Sequence, residues 1–184
     1  MLKYNELSKK LLEICAKKNM KLLTAESCTG GLLSANITGI AGSSDVFSYG
    51  IICYSDESKK NFLNVNNETL NSYGAVSYET VKQMLEGLCY HAKSKTLTIA
   101  ISGVAGPKRS EFKPVGLVFI GVKVSSEDTE VISELNFGNI ERNKIQQKSV
   151  HEALKMSLDL LKDCLLYTSP SPRDSIASRM PSSA

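Results

Sequence analysis

The spacing of apolar residues along the chain changes between a helical repeat and the short runs typical of strands. We predict helices over residues 5–18, 29–38, 56–63, 68–73, 77–92 and 140–162. We predict strands over residues 21–25, 46–54, 96–104, 114–124 and 130–137. The run 46–54 is apolar and rich in β-forming residues, which favours a central strand. The turn at 125–129 makes the last two strands an antiparallel pair.

The order of these elements predicts the fold class. Helices and strands alternate along most of the chain, and a strand hairpin and a long helix follow. Such an order is typical of an α/β protein whose helices cover both faces of a sheet. A chain of 184 residues is long enough for one domain with a substantial core. We therefore expect a single three-layer α/β/α domain with a mixed, mainly parallel sheet.

Composition and charge argue against two classes of partner, namely nucleic acids and membranes. The chain is 42% hydrophobic and 22% charged with a formal net charge of +3, which is ordinary for a globular protein. Because no basic run carries interleaved aromatic residues, we expect no nucleic-acid partner. No apolar stretch approaches bilayer-spanning length, and the charged N-terminal segment lacks a signal-peptide core. We therefore expect no membrane partner and a cytoplasmic location.

The residue types that could bind a metal or form disulfides are scattered along the sequence. The five cysteines show no CxxC spacing and their number is odd, which argues against a disulfide framework. The two histidines, His91 and His151, are far apart, and each lies in a predicted helix. We therefore expect no metal site and no cofactor.

The composition changes abruptly after Asp163. Residues 164–184 are rich in serine and proline and have no periodicity, which is typical of disorder. The string CLLYTSPSPRD resembles the translation of a transposase-based sequencing adaptor, and SRMPSSA resembles the distal end of the same adaptor. We interpret residues 164–184 as adaptor read-through and residues 1–163 as the domain. Codons unlike those of the adaptor in the source nucleotide sequence would contradict this interpretation.

Three polar loops each follow a predicted strand directly. They have the sequences ESCTGG (26–31), YSDESK (54–59) and SGVAGP (102–107). Ligands of α/β sheets bind where loops leave the carboxyl ends of strands. The first loop also precedes a helix, where unpaired backbone N–H groups favour an oxyanion or a phosphate. That loop alone is equally typical of a glycine-rich turn with Ser27 or Thr29 as N-cap. The convergence of three such loops favours a functional site.

Two neighbouring residues of the first loop are candidate nucleophiles. A serine needs a base to become a nucleophile, and neither histidine falls in a candidate loop. The remaining possibility for Ser27 is a Ser–Lys arrangement with Lys59. The spacing of Lys59 alone is more typical of a surface lysine. Cys28 is the rival, since a thiol at a helix N-terminus can be reactive, but without a histidine partner it is more typical of a packed residue. Tyr54 either orients the pair or is an ordinary strand-end aromatic.

Six motifs occur in a fixed order along the chain: TAESCTGG (24–31), GSS (42–44), YSDESK (54–59), YGAVS (73–77), SGVAGP (102–107) and KPVGLVFIGV (113–122). Together they resemble the CinA C-terminal domain family, which includes free-standing nicotinamide-nucleotide amidohydrolases of the PncC type. The resemblance runs over residues 5–162. It implies a three-layer α/β/α fold and a small-molecule pyridine nucleotide as partner. The implied reaction, in pyridine nucleotide salvage, converts nicotinamide mononucleotide to nicotinate mononucleotide and ammonia without a cofactor. We also expect a homo-oligomer.

The resemblance also implies residue roles. Ser27 becomes the nucleophile, Lys59 the general base and Tyr54 an assisting residue. The implied substrate-binding residues lie in the first loop, in the third loop and at the start of the last helix. They are Cys28, Thr29, Gly30 and Gly31 around the oxyanion, Ser102, Gly103, Ala105 and Gly106 around the 5′-phosphate, and Arg142.

Four features depart from the usual family pattern. Ser102 stands where the third motif usually begins with threonine, and it keeps the hydroxyl. Asp56 stands where asparagine is more usual, and a carboxylate near Lys59 favours a protonated lysine. Gln146 occupies a position that is commonly basic, and the segment 108–111 is short and charged where a glycine-rich stretch is common. These departures keep a second interpretation open, in which the domain is a catalytically silent nucleotide-binding or protein-interaction module.

Overall fold

The computed structural model describes residues 5–90, 92, 95–110, 113–125 and 129–166. Within these residues the helices are α1 (Asn5–Lys17), α2 (Leu32–Thr38), α3 (Asp56–Leu63), α4 (Asn67–Tyr73), α5 (Tyr78–Tyr90) and α6 (Arg142–Leu166). The strands are β1 (Lys21–Glu26), β2 (Phe47–Ile52), β3 (Thr96–Gly103), β4 (Leu117–Val124) and β5 (Thr129–Asn136).

The described strands form a five-stranded sheet in the order β2-β1-β3-β4-β5. Strand β1 pairs in parallel with both β2 and β3, whereas β4 is antiparallel to both of its neighbours. Four strands therefore share one direction and β4 opposes them. The predicted mixed sheet and the predicted β4–β5 hairpin are both confirmed.

Helices cover both faces of this sheet. Helices α1, α2 and α6 pack on one face, where the core includes Leu22, Ile99 and Ile120. Helices α3, α4 and α5 cover the other face, where the core includes Leu23 and Ala100. Neighbouring residues of one strand enter opposite cores because strand side chains alternate between the two faces. The three-layer α/β/α architecture is confirmed.

The prediction of a central strand over residues 46–54 was wrong, because β2 lies at the edge of the sheet. Its apolar residues nevertheless face two helical layers: Phe47 packs against the α1–α2–α6 side, and Tyr49 and Ile51 pack against the other. An edge strand with helices on both faces gives the same apolar pattern as a central strand. Only its pairing partners distinguish the two, and the pattern does not encode them.

Two helix ends differ from their predicted positions by three residues or more, and the other differences are of one or two residues. Helix α2 begins at Leu32 because Gly30 and Gly31 before it adopt positive φ values of 61° and 95°, a left-handed conformation that favours glycine. Helix α6 continues to Leu166, three residues past the predicted domain boundary. The interpretation of the chain as adaptor beyond that point falls on residues 167–184, which lie outside the described residues, as does His91.

Candidate active site

The three polar loops meet at the carboxyl ends of β1, β2 and β3, where they surround a cavity of about 220 Å³. The cavity walls come from the loops, from the turn before α5 and from the start of α6. They are Ser27, Cys28, Tyr54, Asp56, Lys59, Ala75, Val76, Ser102, Gly103, Ala105 and Arg142. The structure thus brings together the three predicted catalytic residues and five of the nine predicted binding residues. Thr29, Gly30, Gly31 and Gly106 lie beside the cavity walls in the same loops.

Ser27 is held at the end of β1 by its backbone. Its N–H donates to the carbonyl of Ile101 in β3 at 2.9 Å, which continues the sheet pairing through the serine. Its carbonyl accepts from the N–H of Gly30 at 3.1 Å, which closes the turn toward α2. The serine is buried yet lines the cavity, so its hydroxyl is fixed in position and accessible from one side.

Lys59 reaches Ser27 from the first turns of α3. That helix begins with a capping box in which Ser55 and Ser58 exchange hydrogen bonds, so its start is well defined. The lysine is only 1% exposed, and its Nζ lies 3.2 Å from Oγ of Ser27 and 3.0 Å from the carbonyl oxygen of Cys53. A neutral amine that donates to this carbonyl keeps its lone pair available for the proton of the serine.

Asp56 places a carboxylate near this amine. Its Oδ1 lies 3.9 Å from Nζ of Lys59, and its side chain is 60% exposed. Asp56 is therefore close enough to Lys59 to form an ion pair with it.

Glu26 organises the first loop, a role that the sequence analysis did not predict. Its carboxylate is fully buried and accepts hydrogen bonds from the N–H groups of Gly31, Leu33 and Ser34, at 3.1, 3.0 and 2.8 Å. The hydroxyl of Ser34 adds a fourth at 2.7 Å. The helix start of α2, where an oxyanion or a phosphate was expected, is therefore occupied by the carboxylate of Glu26. An acidic residue at the end of a buried strand, just before a glycine-rich turn, was the available signal.

The backbone donors of the first loop divide into two groups as a result. The N–H of Gly30 is used by Ser27 and that of Gly31 by Glu26. The N–H groups of Cys28 and Thr29 donate to no acceptor in the described part of the chain. Of the four predicted oxyanion donors, these two are available to a ligand.

Arg142 connects the second and third loops. It donates to the hydroxyl oxygen of Tyr54 at 2.8 Å and to the carbonyl of Gly106 at 2.6 Å. Because the Tyr54 oxygen accepts this bond, its own proton is free to point into the cavity. A guanidinium has five N–H groups, so three remain for a ligand.

Ser102 lies in the cavity wall with its hydroxyl already used. The hydroxyl donates to the carbonyl of Ala75 at 2.6 Å, and the residue is 1% exposed. Its proton is therefore not directed at a ligand. The N–H groups of Ala105 and Gly106 in the same loop donate to no acceptor in the described ranges, so they are the available donors of the third loop.

Cys28 has the properties of a packed residue. Its thiol is buried, and burial raises its pKa from an ordinary 9.0 to about 12. Its carbonyl accepts a hydrogen bond from Nε2 of Gln146 in α6 at 2.8 Å. The sequence analysis noted Gln146 only as a departure from a basic position and missed this contact.

Two features of the described residues concern metal binding and membrane spanning. These residues contain no group of three or more His, Cys, Asp and Glu side chains arranged to hold a metal ion. None of the helices they form is both long and apolar enough to cross a bilayer. The expected homo-oligomeric state and cytoplasmic location stay predictions.

Fold and site together define a three-layer α/β/α protein with a buried Ser–Lys pair at the carboxyl edge of its sheet. The model of the CinA C-terminal domain matches residues 4–161. The chain belongs to that family, as its motifs indicated.

Relatives and solved structures agree with this membership. A protein from Alkaliphilus oremlandii that carries the name competence-damage inducible protein is 41% identical over 164 residues, 86% of this chain and 38% of that protein. The chain thus spans little more than a third of such curated relatives. The crystal structure of the competence/damage inducible protein CihA from Agrobacterium tumefaciens is 37% identical with a TM-score of 0.81, covering 85% of this chain and 94% of that one. A CinA superfamily structure from Klebsiella pneumoniae is 30% identical with the same TM-score, covering 86% and 98%.

Proposed function

We propose that this protein hydrolyses the carboxamide of nicotinamide mononucleotide, giving nicotinate mononucleotide and ammonia, with Ser27 as nucleophile and Lys59 as general base. The observation that carries this proposal is the 3.2 Å contact between Oγ and Nζ inside a ligand-sized cavity. A serine hydroxyl becomes a useful nucleophile when a base is this close. The reaction would belong to pyridine nucleotide salvage.

In the first half of the reaction, Oγ of Ser27 attacks the carboxamide carbon while its proton passes to Nζ of Lys59. The electron-withdrawing pyridinium ring makes that carbon more electrophilic. The oxyanion that forms needs donors, and the free N–H groups of Cys28 and Thr29 beside the serine suit this role. Collapse of the tetrahedral intermediate breaks the C–N bond, and Lys59 or Tyr54 supplies the proton with which ammonia leaves.

In the second half, water attacks the ester that links nicotinate to Ser27. Lys59 is neutral again once it has passed its proton either directly to ammonia or back to the Tyr54 phenolate, and it then accepts a proton from this water. Collapse then breaks the bond to Oγ, the serine regains its proton, and nicotinate mononucleotide is released. Each proton that leaves one partner is taken up by another, so the scheme closes without a further reactant.

The remainder of the nucleotide needs a site for its phosphate. The unused N–H groups of Arg142, together with the N–H groups of Ala105 and Gly106, offer positive charge and donors on one side of the cavity. Ser102 supports this side through its bond to Ala75 rather than by donating to the phosphate.

A second candidate function is a catalytically silent nucleotide-binding module. The ion pair between Asp56 and Lys59 favours it, because a lysine that stays protonated accepts no proton from Ser27. Such a protein would bind nicotinamide mononucleotide, and its Tm would rise with ligand concentration without turnover.

Ammonia release from nicotinamide mononucleotide tests both functions. We expect turnover in the unmodified protein, loss of turnover in Ser27→Ala and Lys59→Met, and retained turnover in the control Cys28→Ala. Full activity in Ser27→Ala would refute the mechanism. Ligand-induced stabilisation without any ammonia would favour the silent module.

A further inference from the structure

A second and larger cavity, of about 780 Å³, adjoins the one that contains the Ser–Lys pair. The two cavities share three lining residues, namely Asp56, Ala75 and Val76, so they adjoin each other at these residues. Asp56 is the only ionisable residue among these three. Because Asp56 lies 3.9 Å from Nζ of Lys59, a ring whose carboxamide is bound at Ser27 lies near this carboxylate.

The charges along the two cavities are unevenly distributed. Arg142 lies in the wall of the smaller cavity, and its unused N–H groups favour an anion there. The described charged residues of the larger cavity, apart from Asp56, are Glu79, Glu134 and Lys113, so that end is acidic. A substrate with one anionic and one cationic group is oriented by this distribution, with its cation toward Asp56.

We propose that Asp56 is a specificity-determining residue whose carboxylate selects carboxamide substrates that carry a positive charge on the ring. This inference rests on the proposed function. A cationic pyridinium ring that binds with its carboxamide at Ser27 is attracted by the Asp56 carboxylate, whereas a neutral ring is not. Asp56 also lies 3.9 Å from Nζ of Lys59, so during turnover its negative charge offsets the repulsion between the ring and the ammonium that forms there.

Asp56 distinguishes two ligands that have nearly the same shape and differ in the charge of the ring. Nicotinamide mononucleotide has a cationic ring, whereas its reduced form has a neutral one, and both carry the same phosphate. Asp56 therefore favours the oxidised nucleotide. An asparagine at this position, which keeps the size of the side chain and removes its charge, abolishes the preference.

Calorimetric binding to Ser27→Ala, which cannot turn substrate over, tests this selection. Adding Asp56→Asn should weaken binding of the oxidised nucleotide about two- to fivefold, the size expected of a partly exposed charge pair, and leave the reduced nucleotide unchanged. Asp56→Glu, which retains the charge, should keep the preference. Glu57→Gln is the matched control, since Glu57 is the exposed neighbour on α3 and lines neither cavity.

Two failures are distinguishable in this experiment. If both nucleotides bind and Asp56→Asn weakens them equally or not at all, the charge selection is wrong while the proposed function stands. If neither nucleotide binds, the proposed function is wrong, and 1-methylnicotinamide against nicotinamide, a cation and a neutral amide, decides the charge selection. Equal effects of Asp56→Asn on that pair would overturn the selection as well.

Discussion

Nε2 of Gln146 donates a hydrogen bond to the carbonyl oxygen of Cys28 at 2.8 Å and so joins α6 to the residue that follows the proposed nucleophile. In a trans peptide the N–H points opposite to the carbonyl, so this bond also fixes the direction of the Thr29 N–H. A carbonyl that accepts a bond polarises its peptide unit and strengthens that N–H as a donor. Gln146 therefore orients one of the two N–H groups that we propose as oxyanion donors.

Replacing this donor tests its role in positioning. In Gln146→Leu we expect kcat to fall about two- to tenfold with little change in KM, because one neutral hydrogen bond that supports only the charged intermediate is lost. Gln147→Leu is the control, since Gln147 is exposed on the same helix. Steady-state kinetics with nicotinamide mononucleotide measure both. A rise in KM at constant kcat would contradict a role in the reaction step.

The pKa of Cys28 predicts its chemical reactivity. Burial raises the pKa of this thiol to about 12, and only the thiolate reacts with iodoacetamide. At pH 8 about one thiol in ten thousand is ionised, and the fraction grows only as the pH approaches 12. We therefore expect the folded protein to keep its activity under iodoacetamide at pH 8, with Cys28 unmodified by mass spectrometry. The denatured chain should be alkylated at the same pH. Modification of Cys28 with loss of activity would restore it as a candidate nucleophile.

The sequence predicted much of the candidate site because the relevant residues lie within short segments. Each loop follows its strand directly, and parallel strands deliver their ends to one edge, so the three loops were expected to meet. The pairing of Ser27 with Lys59 was implied by the family resemblance, since spacing alone was typical of a surface lysine at position 59. The bonds of Glu26 and Gln146 were not predictable in this way. The first depends on how a turn folds back on its strand, and the second links residues 118 positions apart.

Strand order was unpredictable for a related physical reason. Apolar patterning reports how many faces of a strand are covered, whereas edge and centre differ in the number of pairing partners. Strand β2 has one partner in the described sheet and helices on both faces, so its pattern matched that of a central strand.

The buried carboxylate of Glu26 predicts a large loss of stability on neutralisation. In Glu26→Gln one acceptor oxygen becomes an NH₂ group that faces backbone donors at the start of α2. We expect the free energy of unfolding to fall by about 2–4 kcal/mol, since hydrogen bonds to a charged group are lost and donors remain buried. Urea unfolding measures this change. Glu13→Gln on the exposed side of α1 is the control and should stay within about 0.5 kcal/mol of the unmodified protein. An equally small effect of Glu26→Gln would show that the carboxylate charge is dispensable.

The close approach of α5 to α3 makes Gly87 a position where alanine is harmful. A Cβ added there would clash with the carbonyl oxygen of Leu63, a backbone atom at the end of the helix that carries Lys59. Alanine is the better helix former by about 1 kcal/mol, so propensity alone predicts that Gly87→Ala is stabilising. We expect instead a loss of about 1–3 kcal/mol in urea unfolding, typical of overpacking, together with reduced ammonia release because α3 must move. Glu86→Ala, at the exposed neighbouring position of α5, is the control. A Gly87→Ala protein as stable as the Glu86→Ala protein would mean that the two helices separate at no cost.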